Sequence, residues 1–174
     1  MMEQEPIINR VANSGLVTLN LEDYYPANEL EELDLQPLLV GGLMLREKDL
    51  RDFIRDHNWA TYQDKVVALH CSSDAIIPTW AYMLVAVALQ PVARKVVFGN
   101  REAALAAAFS DKLSMVDWNS YRDAKVVVKG CGDVRVPESI FVEVTSRLRP
   151  LAASIMYGEP CSTVPLYKRP KGSA

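Results

Sequence analysis

Short β-branched runs and amphipathic segments alternate along the chain and predict an α/β fold. The runs Lys65–Leu69 and Lys125–Lys129 have consecutive apolar centres, which is typical of parallel strands buried on both faces. After each run, one proline stands where a helix is expected to begin and another where it is expected to end. These prolines and the strands that follow them are Pro78, Pro91 and Lys95–Phe98 in the first segment, and Pro137, Pro150 and Ser154–Tyr157 in the second.

The two strand–helix–strand segments align as an internal repeat. The first, "WATYQDKVVALHCSSDAIIPTWAYMLVAVALQPVARKVVFG", covers Trp59–Gly99, and the second, "WNSYRDAKVVVKGCGDVRVPESIFVEVTSRLRPLAASIMYG", covers Trp118–Gly158. The alignment pairs Cys71 with Cys131 when one residue is gained before the second cysteine and lost after it. The pattern predicts a mostly parallel sheet flanked by helices and built from two pseudo-repeated β-α-β units.

The flanking segments extend this plan into a single α/β domain over residues 1–171. A helix is expected before each repeat, in "REKDLRDFIRDHN" and in "REAALAAAFSDKLSMVD". Within residues 1–58, "LVTLNLEDYY" and "LEELDLQPLL" are expected to add strands that run antiparallel to the others. Residues 159–174 are expected to form an extended C-terminal tail.

The helix expected over Trp80–Leu89 is apolar on every side, unlike its half-polar counterpart in the second repeat. A helix without a polar face needs cover all round. The cover can come from residues 1–58 or from a second subunit, so the sequence raises a homodimer as one of two arrangements.

Composition limits the range of partners. A net charge of -3 in 174 residues gives no reason to expect a positively charged surface that binds nucleic acid. The apolar run Trp80–Leu89 is about half as long as a membrane span, and the N-terminus lacks the pattern of a signal peptide. We therefore expect a cytoplasmic protein with no membrane partner, whose three cysteines stay reduced.

The three cysteines follow expected strands and are the candidate chemical groups. If the first strands of the two repeats are neighbours, Cys71, Cys131 and Cys161 fall on one rim of the sheet, where α/β proteins bind ligands. Helix amino termini near this rim favour thiolates, which suit an iron–sulfur cluster or a Zn or Fe ion. The neighbouring residues expected to line such a site are Ser72, Ser73, Asp74, Gly130, Gly132 and Asp133.

Each of these residues also has a structural interpretation. A single cysteine is most often a small packing residue, and Asp74 and Asp133 fit turns or helix caps. Gly130 and Gly132 would let the backbone approach a ligand closely. His70 is expected to face away from Cys71, and a positive charge on His57 at a helix end would be stabilising.

Other catalytic and cofactor templates are absent from the sequence. It contains no GxSxG motif, and no GxGxxG or GxxxxGK[ST] motif for a nucleotide. The sequence therefore leaves undecided whether the protein is an enzyme.

Four segments resemble the bacterial domain of unknown function family 2480: "NRVANSGLVTLNLEDYYP", "CSSDAIIPTWAYM", "KGCGDVRVPES" and "SIMYGEPCSTVPLYKRPK". The resemblance spans nearly the whole chain. It implies an association with iron–sulfur cluster assembly, because genes of this family often lie beside sulfur-mobilisation genes. Partners among iron–sulfur assembly proteins are one expectation that follows.

Three functions are compatible with these features. The first is a metal- or iron–sulfur-binding protein that uses Cys71, Cys131 and Cys161, accessory to cluster assembly. The second is a thiol enzyme or sulfur carrier that uses Cys131, which its glycine neighbours would leave accessible. The third is a non-catalytic interaction module that dimerises through the Trp80–Leu89 helix.

Overall fold

The computed structural model describes residues 15–130 and 132–170. Its elements in chain order are β1 (Leu16–Asn20), β2 (Leu30–Asp34), β3 (Leu39–Val40), β4 (Met44–Leu45), α1 (Glu47–Asp56), β5 (Val66–His70), α2 (Thr79–Leu89), β6 (Lys95–Phe98), α3 (Arg101–Leu113), β7 (Lys125–Lys129), α4 (Glu138–Leu148), β8 (Ser154–Glu159) and β9 (Ser162–Lys168). The predicted α/β class with largely parallel sheets is confirmed.

The chain divides into two compact units. Unit 2 comprises Pro26–Lys112, and unit 1 comprises the chain up to Tyr25 and from Leu113 onward. Unit 2 is thus an insertion in the sequence of unit 1, between β1 and the remaining elements of that unit.

Unit 2 contains a three-stranded parallel sheet in the order β2-β5-β6. The central strand β5 is buried on both faces, from Val66 to Leu69, which explains its unbroken apolar run. One face packs against α1 and α2, with a core that includes Leu50, Val67 and Val85.

Unit 1 contains a four-stranded sheet in the order β1-β7-β8-β9. The first three strands are parallel, and β9 runs antiparallel to β8. Val126, Val127 and Val128 of the central strand β7 are buried, like their counterparts in β5.

Positions 59 residues apart take the same local structure in the two units. The indole N–H of Trp59 donates to the carbonyl of Ile54, and that of Trp118 donates to the carbonyl of Leu113, both at 3.0 Å. Asp64 and Asp123 both have a φ of 59°. The same spacing relates β5 to β7 and α2 to α4, so the loops between them are equal in length.

Equal loop lengths correct the cysteine alignment by one residue. No residue is gained or lost between strand and helix, so Cys71 corresponds to Gly130, and Cys131 corresponds to Ser72. The prolines also lie one position earlier than predicted, because Pro78 and Pro137 are the N-cap residues of α2 and α4.

The two N-terminal strands were predicted to be antiparallel, and that prediction is wrong. Strand β1 pairs in parallel with β7, and β2 pairs in parallel with β5. Each strand stops after five residues. At its end, the side chain of Asn20 or Asp34 accepts a hydrogen bond from the backbone N–H two residues later, that of Glu22 or Gln36. Such short polar side chains favour a turn over a continued strand, and a 3₁₀ turn follows each of them.

Most of the C-terminal segment, predicted as an extended tail, is a strand of the unit 1 sheet. Residues Ser162–Lys168 form β9, with Tyr157 opposite Val164 and Gly158 opposite Thr163. The Arg169 guanidinium then pairs with the Asp123 carboxylate and donates to the carbonyls of Leu151 and Ala152.

Helix α2 is covered on one side only. Ala81, Val85 and Leu89 are buried, whereas Met83 and Val87 are 63% and 71% exposed. No helix in the described part of the chain is long and apolar enough to cross a membrane.

Candidate functional site

Each unit has a cleft at the carboxyl end of its central strand, beside the amino terminus of its β-α-β helix. This edge of a parallel sheet is where open α/β proteins bind ligands. The unit 1 cleft has a volume of about 590 Å³ and is lined by Gly130, Gly132, Val134, Arg135, Val136, Glu138, Phe141, Tyr157 and Leu166. The unit 2 cleft has a volume of about 580 Å³ and is lined by Ile76, Ile77, Thr79, Tyr82, Met83 and Phe98.

An edge-to-face aromatic pair contributes to both clefts. In unit 1 the rings of Phe141 and Tyr157 are 5.7 Å apart at 82°, and in unit 2 those of Tyr82 and Phe98 are 5.0 Å apart at 82°. In each unit one ring comes from the β-α-β helix, α4 or α2, and the other from the strand that follows it, β8 or β6. Corresponding rings of the two units are 59 residues apart in the sequence. The favourable edge-to-face geometry fixes aromatic, apolar surface in each cleft.

The two clefts differ in their outer wall. Strand β9 places Leu166 against the unit 1 cleft. Unit 2 has no strand beyond β6 in the described ranges, and Phe98 of its cleft is 73% exposed. The unit 1 cleft is therefore bordered by a side chain of β9, whereas no strand of the described ranges borders the unit 2 cleft in this way, and both clefts are open to solvent.

Gly130 and Gly132, predicted to line a cysteine site, line the unit 1 cleft. Their missing side chains leave space that neighbouring side chains of the protein occupy. A Cβ at Gly130 would lie 3.0 Å from Cζ of Phe141, and one at Gly132 would lie 2.5 Å from Oε1 of Glu22. The Gly132 N–H donates to that same Glu22 oxygen. Close approach of Phe141 and Glu22 is thus the structural reason for both glycines.

Charged groups of both signs lie at and near the unit 1 cleft, which Arg135 and Glu138 line. The Lys129 ammonium lies 2.9 Å from the Glu159 carboxylate. Glu159, followed by the charges of Glu22 and Asp23, holds the pKa of Lys129 above its ordinary range. Glu138 adds a further negative charge in the first turn of α4.

Asp34 organises the loop after β5 in unit 2. Its carboxylate accepts bonds from the Gln36 N–H, the Ser72 N–H and the Ser72 hydroxyl. Burial alone would raise the pKa of Asp34, but these hydrogen bonds outweigh it and hold the pKa below its usual value. The predicted lining residue Ser72 therefore has a structural role.

The remaining predicted lining residues of unit 2 lie in the same loop. The Ser73 hydroxyl lies 3.5 Å from the Cys71 sulfur and accepts the Ala75 N–H. Burial first, and then the charges of Cys71 and Asp34, raise the pKa of Tyr82 in the adjacent cleft. Asp74 is exposed at a bend and is not a helix cap, and exposed Asp133 lies at a bend in unit 1.

The structure does not support the strand arrangement on which the shared cysteine site was predicted. Strands β5 and β7 belong to separate sheets. Cys71 is half-buried in unit 2, Cys161 is exposed between β8 and β9, and Cys131 lies outside the described residues. No three His, Cys, Asp or Glu side chains within 15–130 and 132–170 could hold a metal ion together. The metal site that includes Cys131 stays a prediction.

The two histidines lie apart from the clefts' lining residues. His70 is near Glu32, with Nε2 3.5 Å from a carboxylate oxygen. His57 packs in an aromatic cluster, 4.5 Å from the Phe53 ring and 4.8 Å from the Trp59 ring. Its buried Nε2 has no hydrogen-bond partner among the described residues, and burial lowers the pKa of His57. The expected stabilising positive charge is therefore disfavoured.

Acidification is expected to destabilise the fold through His57. The unfolded histidine takes up a proton near pH 6.5, but the folded one does so only at a lower pH. Between these two pKa values the unfolded state binds more protons, so the free energy of unfolding falls as pH falls. Urea titrations at pH 7.5 and 5.5 should show that the free energy of unfolding falls less between these pH values in His57→Phe than in the wild type. Equal losses would contradict this assignment.

Comparison with known proteins agrees with the motifs. The family model described as protein of unknown function (DUF2480) matches residues 5–169, nearly the whole chain. No curated protein and no solved structure matches. The resemblance drawn from the sequence motifs is confirmed, and the chain belongs to the DUF2480 family.

Proposed function

We propose that the protein binds a small neutral or cationic organic molecule in the unit 1 cleft. The observation that carries this proposal is a largely apolar cleft, bordered by β9, at the ligand-binding edge of a parallel sheet. Its volume of about 590 Å³ lies within the range of small-molecule sites.

The lining favours a ligand with a flat apolar body. Phe141 and Tyr157 offer aromatic surface, and Val136 and Leu166 add aliphatic surface around it. Aromatic contacts of this kind contribute about 0.5–1.5 kcal/mol beyond simple burial. An aromatic or cyclic apolar group matches this surface better than an extended polar chain.

The charge around the cleft disfavours an anion. Arg135 and Glu138 line the cleft with opposite charges. Glu22 contacts the lining Gly132, and Lys129 is paired with Glu159, so carboxylates outnumber cations around the cleft. Glu138 also supplies the negative charge that the amino terminus of α4 favours. An incoming anion would meet repulsion, whereas an amine would meet attraction.

The thiol function predicted from the sequence is a second proposal for this cleft. Cys131 lies between Gly130 and Gly132 in the sequence, and both glycines are lining residues. Cys131 would then be a nucleophile toward a molecule bound there, or would accept sulfane sulfur from a persulfide donor that leaves as its thiol.

Three further proposals rest on the sequence. The iron–sulfur or metal function of Cys71, Cys131 and Cys161, accessory to cluster assembly, is one of them. A homodimer through the Trp80–Leu89 helix is another, supported by the exposed apolar residues of α2. The descent of both β-α-β units from one duplicated sequence is the third, supported by their constant 59-residue spacing.

Benzylamine and benzoate form a matched pair of probes for the cleft. We expect benzylamine to shift the amide resonances of Gly132 and Tyr157, and benzoate to shift them less at equal concentration. Tyr157→Leu should weaken benzylamine binding about three- to tenfold, as expected for the loss of one aromatic contact. The corresponding Phe98→Leu in unit 2 should leave the affinity unchanged. Equal binding of both probes, or equal effects of both variants, would refute the proposal.

Alkylation tests the role of Cys131 separately. Benzylamine should slow the reaction of Cys131 with iodoacetamide, measured by mass spectrometry. Exposed Cys161 in the same sample should react at an unchanged rate and serves as the internal control. If benzylamine binds but leaves the Cys131 rate unchanged, the ligand proposal stands and the thiol proposal fails.

A further inference from the structure

Strand β6 leaves one edge of the unit 2 sheet unpaired. Its inner edge faces β5, where the Gly99 N–H donates to the Leu69 carbonyl at 3.1 Å. Because alternate residues of a strand face opposite neighbours, Val96 and Phe98 direct their N–H and C=O groups outward. Across the described residues, β6 pairs with no strand on that side.

The corresponding edge of unit 1 is filled by a strand. There β9 pairs antiparallel with β8 and places Val164 opposite Tyr157 and Tyr167 opposite Ile155. With this cover, Ile155 is 0% exposed. Val96, its counterpart in β6, remains half-buried. A β-α-β unit of this fold can therefore pair with an antiparallel strand at this edge.

We propose that the β6 edge of unit 2 pairs with the β6 edge of a second copy of the chain. The strands would run antiparallel about a twofold axis through Val97. In this register Val96 lies opposite Phe98 of the partner subunit, and both residues use their outward backbone groups. An isologous contact of this kind closes on itself and gives a dimer.

The β6 sequence offers cross-strand pairs of the same type as those that β9 makes with β8 across its β-bulge. In unit 1 an aromatic residue faces valine at one position, and a β-branched residue faces tyrosine at the other. In the proposed dimer both positions pair valine with phenylalanine, a favourable type of cross-strand pair. Two copies of β6 supply these valine–phenylalanine pairs without any other strand. A second copy of the chain therefore fits this edge.

Charge and exposure agree with self-pairing. Lys95 would lie opposite Gly99 of the partner subunit, so no like charges face each other directly. The partner strand would cover exposed apolar residues beside the edge, above all Phe98 at 73% exposure and Ile76 at 91%. Exposed contiguous apolar surface of this kind marks interaction sites, and unpaired edge strands invite pairing.

Three substitutions separate this interface from one on α2. Val96→Pro removes only an outward N–H, so the β5 ladder survives, and proline is tolerated on edge strands. Phe98→Lys places a charge on an exposed position of the same edge. Val87→Lys changes an equally exposed position on α2 and is the matched control.

Analytical ultracentrifugation over a micromolar-to-millimolar series should show a monomer–dimer equilibrium in the wild type and in Val87→Lys. Val96→Pro and Phe98→Lys should weaken dimerisation at least tenfold. A wild type that stays monomeric, or dimerisation lost in Val87→Lys but kept in the β6 variants, would overturn the proposal.

Amide hydrogen exchange of the wild type gives a result that does not depend on the variants folding. As the protein concentration rises, the Val96 and Phe98 amides should gain more protection than the Val67 amide, which reports only the global stability gained on dimerisation. Protection at every concentration in a monomer would mean that another segment of the same chain covers the edge, and would also overturn the proposal.

Discussion

Replacing Ile155 with alanine is expected to lower the free energy of unfolding by about 2–5 kcal/mol. Ile155 is fully buried in β8, with β7 on one side and β9 on the other. The lost methyl and methylene groups would leave a cavity in the core that the hydrogen-bonded strands beside β8 close only in part. Chemical denaturation followed by circular dichroism measures the loss.

Val96→Ala is the matched substitution at the corresponding position of unit 2. Because Val96 is only half-buried at a sheet edge, we expect a loss of about 1 kcal/mol or less in dilute protein. If β6 pairs between two copies, the loss should increase with protein concentration, since dimerisation stabilises the folded state. A loss as large as that of Ile155→Ala in dilute protein would show that the β6 edge is already covered within the chain.

The central strands were predictable because burial imposes its pattern directly on the sequence. The strand Lys125–Lys129 was predicted with its observed bounds, and Val66–His70 with a shift of one residue. Both are covered on two faces, so their apolar runs are unbroken. Pro91 and Pro150 likewise marked the helix ends, because proline cannot continue a helix.

Strand pairing was harder to predict from the sequence, because it joins residues that are far apart along the chain. Leu16 pairs with Lys125 across the whole of unit 2. Nothing local in "LVTLN" distinguishes a parallel from an antiparallel partner. For the same reason the sequence could not decide whether the two repeat strands are neighbours, the condition on which the convergence of cysteines depended, and the structure places them in separate sheets.

The cleft was partly visible in the sequence. Gly130 and Gly132 were predicted to line a cysteine site, which stays a prediction, and the structure places both in the lining of the unit 1 cleft. The aromatic pairs were missed, yet the alignment contained their signal: Tyr82 with Phe141 and Phe98 with Tyr157 are aromatic at the same spacing. The wall formed by Leu166 left no such signal, because unit 2 has no counterpart of β9.

Gly158→Ala is expected to destabilise unit 1 and to open its cleft. Gly158 has a φ of 117°, a region that costs other residues about 1–3 kcal/mol. An added Cβ would also lie 2.7 Å from the Ser162 carbonyl oxygen, a backbone atom that cannot move without shifting β9. Thermal and urea denaturation should both show a loss of stability larger than the backbone cost alone.

The matched variant Gly99→Ala separates the loss of stability from the loss of the cleft wall. Gly99 has a φ of 132°, and its added Cβ would meet the Ala103 side chain at 2.9 Å. Both variants should be destabilised, but only Gly158→Ala displaces β9 and with it Leu166. We therefore expect benzylamine affinity to fall about tenfold or more in Gly158→Ala and to stay unchanged in Gly99→Ala, a difference of at least about 1.4 kcal/mol. If folded Gly158→Ala binds benzylamine as tightly as the wild type, β9 is not the wall that makes unit 1 the binding unit.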